Sequence, residues 1–224
     1  MTDAVQPAVQ DEAAAAGGER LNFFADAVIA IAITLLALEL PVPPKGLTNA
    51  ELWQDVLFHK EDFLSFLISF VVIGLHWRGH HYAFRYITGY GGRLAQYTLL
   101  WLLTQVITPF ATKVLAVDGA FEARFSFYAA VQVLSTVFFL LMVRDVHRYG
   151  LWRPGTPNDV LARAGWASAE VGAGFLISIP LCLVIGSWAY VFWGLVPVLA
   201  GFIRRRRTSR PRVGRTAGRR SIRP

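Results

Sequence analysis

Charged residues are scarce in this chain, and cysteine is nearly absent. Only 17% of the 224 residues are charged, against about a quarter in an ordinary soluble domain, whereas 54% are hydrophobic. These proportions argue against a hydrophilic enzyme and against a disordered chain. The single cysteine, Cys182, excludes an intramolecular disulfide framework and any zinc cluster built from several thiolates.

Long apolar runs dominate the remaining sequence. About 20 mostly apolar residues are needed to cross the hydrocarbon core, and only helices satisfy the backbone over runs of this length. We therefore predict an all-α polytopic membrane protein with six transmembrane helices. The weak break at Gly186-Ser187 leaves a single kinked or re-entrant element as the alternative for the last two. The predicted spans are 21–40, 63–84, 94–116, 122–143, 163–183 and 186–203.

The two ends of the chain differ in charge. Residues 1–19 contain four acidic residues and no lysine or arginine, which is the wrong flank for a signal peptide, and their composition predicts a disordered cytoplasmic tail. Residues 204–224 hold ten arginines and no acid. A polybasic run directly after a span favours contact with anionic lipid over nucleic acid. Residues 20–203 then form the transmembrane domain.

Lysine and arginine are distributed unequally between the short loops. With the N-terminus inside, the inner loops contain Arg85, Arg93, Arg144, Arg148, Arg153 and Arg163. The outer loops hold mainly lysines, diluted by acids. Positively charged loops stay on the cytoplasmic side. We expect a multi-pass protein of the cell membrane with both termini in the cytoplasm.

The first predicted helix carries a carboxylate followed by an aliphatic stripe. Asp26 lies about 9 Å past Arg20 along the helix, a depth at which a charge needs protein or water around it. Beyond it, Ile31, Leu35 and Leu38 recur at i, i+4 and i+7, with Thr34 beside them. A lipid-facing or core stripe with an incidental Asp is the alternative interpretation.

The second predicted helix ends in a cluster of aromatic and imidazole side chains. Trp77, His80 and His81 lie near the predicted cytoplasmic face, at about the depth of Asp26. We expect a polar cluster of these side chains with Asp26 and Arg20, although the histidines could simply reach interfacial water. Five histidines in the chain are too few for a desaturase-type iron centre, so no metal or other cofactor is expected.

Three stretches together resemble the bacterial relatives of the lysosomal potassium channel, transmembrane protein 175. The first, at residues 20–36, reads RLNFFADAVIAIAITLL. The second is WRGHHYAF at 77–84, and the third is TPFAT at 108–112. The family's first-helix motif has a serine where this chain has Ala25, so one hydrogen bond of the motif is missing here.

The resemblance implies a homotetramer around a central pore lined by the first helix. Carried over by position, Ile31 forms the narrowest ring, Leu35 and Leu38 form further rings toward the outside, and Thr34 supplies a hydroxyl ring. The structural motif that braces the pore helix comprises Arg20, Phe24, Asp26, Trp77, His80 and His81.

These features lead to the hypothesis of a potassium-selective channel, not an enzyme, whose constriction is hydrophobic and replaces a TVGYG carbonyl filter. Potassium is the permeant ion, and the partners are other copies of the chain and membrane lipids. A proton-coupled secondary transporter that uses Asp26 and the second-helix histidines is the alternative.

Overall fold

The protein is all-α in the part of the chain that the structure describes. This computed structural model describes the backbone of residues 5–87, 89, 91–157 and 159–193, and side chains from residue 15 onward. A short 3₁₀ turn, Gly186–Ala189, follows the last long helix. The α-helices are α1 (Val5–Leu38), α2 (Asn49–Phe58), α3 (Lys60–Phe84), α4 (Leu94–Ala116), α5 (Phe121–Tyr149) and α6 (Val160–Ile185).

Five segments of the described chain are long and apolar enough to cross a membrane, which confirms a multi-pass helical protein. They correspond to the first five predicted spans, and the last continues past α6. Their ends differ from the prediction by a few residues, because polar residues at the ends of spans continue the helix. The five segments are Ala15–Leu38, Lys60–Phe84, Leu94–Ala116, Phe121–Tyr149 and Val160–Trp193.

Two predicted boundaries require correction. α1 begins at Val5, so residues 5–19 are helical where a disordered tail was predicted. Four consecutive alanines at 13–16 favour this extension, because alanine has the highest intrinsic helix propensity. α5 also continues beyond residue 143 to Tyr149, and it ends where Gly150 adopts a positive φ of 63°.

The chain reverses direction at Gly186. This residue has a φ of 56° and ends α6, and Trp193 then donates a 2.8 Å hydrogen bond to the Ser178 hydroxyl. An uninterrupted helix would separate residues 178 and 193 by about 22 Å, so α6 does not continue as one rod. The predicted sixth span, 186–203, begins at this reversal. Residues 194–203 of it and the arginine tail lie outside the described residues.

Four of the long helices form a closed bundle, and α1 lies on its outside. α3, α4, α5 and α6 pack in a ring, each against its neighbours, with α6 returning to α3. α1 packs in the groove between α3 and α4. This arrangement leaves a large part of the surface of α1 uncovered within one subunit.

α2 is a short surface helix that was not predicted. Thr48 and Glu51 form a reciprocal capping box at its start, in which each side chain bonds the other residue's backbone N–H. None of its residues is buried, and Trp53 and Phe58 are largely exposed. The Thr-x-x-Glu spacing in the sequence was a sufficient signal for this helix.

The loops at the Arg85 end of α3 pair with the last turns of α5 and with the segment that follows it. The backbone N–H of Arg153 donates to the Tyr86 carbonyl at 2.8 Å, and that of Arg93 donates to the Asp145 carboxylate at 2.9 Å. Gly92 has a φ of 59°, and a Cβ there would clash with Asp145 and Tyr149. These bonds hold the connections between helices close to the bundle.

Candidate pore helix

α1 has one face packed in the core and another left uncovered. Ala25, Ile29, Ala32 and Leu36 are almost completely buried against the bundle. Ile31, Leu35 and Leu38 lie on a different face and expose 58%, 40% and 79% of their surface. Thr34 is exposed beside them. All four predicted pore-lining residues therefore share a surface that another molecule must cover in the membrane.

Ala25, the position at which the family motif has a serine, lies at the centre of the packed face. Its side chain is fully buried within the apolar core formed with Ile29 and Ile73. An alanine needs no hydrogen-bond partner there, whereas a buried hydroxyl would. The packing of α1 at this point depends on close apolar contact.

The Thr34 hydroxyl is engaged by its own helix. It donates a 2.8 Å hydrogen bond to the backbone carbonyl of Ile31, one turn earlier. The oxygen keeps its lone pairs, which remain available as acceptors or cation ligands.

Asp26 is satisfied by the second span. The indole Nε1 of Trp77 donates to Asp26 Oδ1 at 2.9 Å, and the His81 ring stacks on the Trp77 ring with centroids 5.3 Å apart. These three side chains belong to the predicted polar cluster, and they connect α1 with α3. The Asp26 side chain is half-buried.

Arg20 and His80 of the predicted cluster, and Phe24 of the motif implied by the resemblance, make other contacts. Arg20 is exposed and forms no ion pair with Asp26 in the described part of the chain. Phe24 is half-exposed and lies seven residues before Ile31, so it extends the uncovered stripe of α1. His80 is fully buried and stacks between Trp101, at 4.6 Å, and Phe84, at 3.8 Å. The structure thus joins Asp26, Trp77 and His81, whereas Arg20 and His80 form no hydrogen bond or ring contact with these three among the described residues.

A line of buried polar side chains inside the bundle was not predicted. Gln105 donates to Ser135 at 2.7 Å, and both lie within 3.4 Å of His76 Nδ1. Further along, Thr112 donates to Ser69 at 2.6 Å. Amide and hydroxyl side chains within apolar runs were the sequence signal for this line. Such groups are rarely exposed to lipid, so they are expected inside the bundle.

At the opposite end of α1 from Arg20, Glu39 pairs with Lys113. The Lys113 Nζ lies 2.6 Å from Glu39 Oε2, and both side chains are substantially exposed. The pair connects the end of α1 with α4. No group of three or more histidine, cysteine or acidic side chains within the described ranges could hold a metal ion.

Residues 20–109 match a family model described as the endosomal/lysosomal potassium channel TMEM175. Over 188 residues, the chain is 29% identical to a potassium channel of Streptomyces collinus, covering 82% of this chain and 91% of that protein. Over residues 20–109 the chain is thus similar to the TMEM175 family. A potassium channel of Chamaesiphon minutus is 36% identical over 98 residues, which are 43% of this chain and 48% of that protein. The family resemblance inferred from the sequence is confirmed.

The TMEM175-family match spans α1 from residue 20 onward, α2, α3 and most of α4, and it includes both residues of the Asp26–Trp77 contact. The fold agrees as well. A crystal structure of a lysosomal potassium-selective TMEM175 homologue from Chamaesiphon minutus superposes with a TM-score of 0.66 at 23% identity. The match covers 85% of this chain and 98% of that one. The relatives are named as channels, a class without enzymatic activity.

Proposed function

We propose that four copies of this chain form a potassium channel in the cell membrane, with the α1 helices around a central pore. The observation that carries the proposal is the uncovered face of α1. The aliphatic stripe of α1 is not covered by other helices of the same subunit. The same stripe lies in the segment that matches a potassium-channel family. Four such faces around an axis would cover one another and enclose a path for ions.

The narrowest part of this pore is a ring of Ile31 side chains. A ring of branched aliphatic groups repels bulk water, and an ion crosses it only after it has lost part of its hydration shell. Potassium loses its hydration water more readily than sodium, which gives selectivity without a carbonyl filter. Leu35 and Leu38 continue the apolar lining, while the Thr34 oxygen offers a ligand to the partly dehydrated ion.

The two termini lie in the cytoplasm, and the arginines of residues 204–224 contact anionic headgroups there. Neither a cofactor nor nucleic acid takes part. Labelling of a cysteine placed in either tail by an impermeant reagent, in intact cells and after permeabilisation, tests the orientation.

The decisive experiment is recording from planar bilayers with purified full-length protein under bi-ionic potassium/sodium conditions. Wild-type protein should give a reversal potential that favours potassium. Ile31→Asn should raise conductance and lower selectivity, because an amide ring wets the constriction. Ile177→Asn is the matched control, since Ile177 on α6 is 53% exposed, close to the 58% of Ile31. It should change neither quantity.

Unchanged currents in Ile31→Asn, or equal effects of the two asparagines, would show that α1 does not line the pore. The transporter alternative makes a different prediction. It requires uphill potassium flux driven by a pH gradient in proteoliposomes, which a passive pore cannot produce. A direct proton relay between Asp26 and His80 would require a hydrogen bond between them. Among the described residues, no such bond is formed.

A further inference from the structure

Two adjoining cavities lie beside α3 on the surface of the bundle. The smaller, of about 390 Å³, is lined by Arg78, Arg163, Tyr82 and Ser168 together with apolar residues, and we call it the arginine cavity. The larger, of about 710 Å³, is lined almost entirely by apolar residues of α3, α6 and the segment that follows α6, and we call it the apolar groove. Leu75, Arg78 and Val171 line both, so the two are continuous.

Arg78 has no partner in the described structure. It is exposed on a membrane-spanning helix, and no hydrogen bond or ion pair to it is formed by any described residue. Charged side chains within spans almost always face a counter-charge or water, because an isolated charge in hydrocarbon is costly. Arg163, across the same cavity, is paired with Asp159, whereas Arg78 forms no hydrogen bond or ion pair with another described residue.

A buried polar group also lines the arginine cavity. The His76 side chain is only 7% exposed, and its Nε2 has no hydrogen-bond partner, although Nδ1 contacts Gln105 and Ser135. Buried polar atoms without a partner are uncommon in folded proteins. The cavity thus combines an unpaired cation with an unsatisfied imidazole nitrogen, and both are suited to a polar, anionic occupant.

We propose that these cavities bind one anionic phospholipid per subunit, with its phosphate at Arg78 and an acyl chain in the apolar groove. The stripe of α3 that lines the groove runs from Leu64 to Arg78, which is about 21 Å along a helix. That length accommodates an acyl chain of one leaflet, whose hydrocarbon is about 15 Å thick. The headgroup then lies seven residues before Arg85, at the end of α3 predicted to face the cytoplasm.

Charge complementarity distinguishes this occupant from a second copy of the chain. An apolar helix of a second copy could fill the apolar groove but would supply no counter-charge to Arg78. A phosphate neutralises the guanidinium with bidentate hydrogen bonds while the acyl chain fills the groove. The proposal does not depend on whether the chain conducts ions.

Native mass spectrometry of the full-length protein tests the proposal, with palmitoyl-oleoyl phosphatidylglycerol as the anionic probe and the matching phosphatidylcholine as the neutral one. Arg78→Gln should weaken binding of the first phosphatidylglycerol per subunit about five-fold, with phosphatidylcholine unaffected. Arg148→Gln is the control, because Arg148 is an exposed arginine at the end of α5 that lines neither cavity.

A second variant tests the cavity without changing charge. Ala167 lines the arginine cavity, and Ala167→Phe should fill part of it and weaken phosphatidylglycerol binding by at least as much as Arg78→Gln. Unchanged elution and thermal stability of both variants show that they are folded. Wild-type binding in both variants would overturn the proposal. So would equal loss of the two lipids.

Discussion

The indole Nε1 of Trp77 donates a 2.9 Å hydrogen bond to Oδ1 of Asp26 and thereby joins α1 to α3. The bond satisfies a carboxylate in a span that would otherwise be costly. It also restricts rotation of α1 about its own axis, so that the face with Ile31 and Leu35 stays away from the bundle. The rotational setting of the proposed pore helix thus depends on a contact to a neighbouring helix.

Removal of this bond should destabilise the protein. Trp77→Phe keeps an aromatic ring against His81 but deletes the donor, and it should lower the free energy of unfolding by about 1–2 kcal/mol. Asp26→Ala should cost a similar amount, and a double-mutant cycle in thermal unfolding should show coupling of about 1 kcal/mol. Trp166→Phe, at a 70% exposed position, is the control. Additive effects would mean that the bond has no energetic role.

Glu39 and Lys113 should set the electrostatic potential at the proposed outer mouth. Lys113→Ala releases the Glu39 carboxylate from its partner and should raise potassium conductance about two-fold at low ionic strength, with the gain lost at high salt. Lys45→Ala removes a lysine from the loop after α1 without freeing Glu39 and should have a smaller effect. Equal conductance in Lys113→Ala and Glu39→Gln would contradict this role.

Close packing of α6 on α5 should make Gly172 intolerant of a side chain. A Cβ at Gly172 would lie 2.5–2.7 Å from Thr136 side-chain atoms, so Gly172→Ala should destabilise the protein by about 1–3 kcal/mol. Gly74→Ala meets nothing within 4 Å and should be neutral or slightly stabilising, because alanine favours the helix. Thermal unfolding of the two variants in detergent compares them directly. Equal melting temperatures would argue against this packing.

The N-terminal end of α2 should become less stable at acid pH. Hydrogen bonds from the backbone and side chain of Thr48 lower the pKa of Glu51 below its ordinary value. The stabilisation by the capping box is therefore complete above the unfolded-state pKa and is lost as the pH falls through the lower folded-state value. After correction for the pH dependence of intrinsic exchange, the protection of the amides in residues 49–52 should fall at acid pH, and Glu51→Gln should abolish that loss while keeping a cap. A wild-type protection factor that does not change with pH would show that the Glu51 carboxylate does not stabilise the cap.

Much of the fold was predictable because lipid imposes a length and a composition on every span. The apolar runs located five helices within a few residues, and the RLNFFADAVIAIAITLL stretch predicted the family. The reversal at Gly186 was indicated by its glycine, although the Trp193–Ser178 contact was needed to show that the chain turns there. The ends of α1 and α5 were misplaced, because helix propensity continues beyond the hydrocarbon boundary.

The candidate site was only partly predictable. Asp26 and Trp77 were expected to meet because they lie at similar depths in the first two spans. Depth does not specify rotation, so the sequence could not show that His80 faces Trp101 instead of Asp26. The pairing of Lys113 with Glu39 likewise joins α4 to α1 across residues far apart in the chain.

Composition and hydrophobic run length alone determined that this is a multi-pass helical membrane protein, because the bilayer accepts only long apolar segments with satisfied backbones. Only the tertiary structure decided which face of each helix is buried. In α1 that choice depends on Ala25, Ile29 and the Asp26–Trp77 bond. The physical reason is that α1 carries apolar residues on all of its sides, so hydrophobicity alone does not distinguish the face that packs from the face that stays exposed.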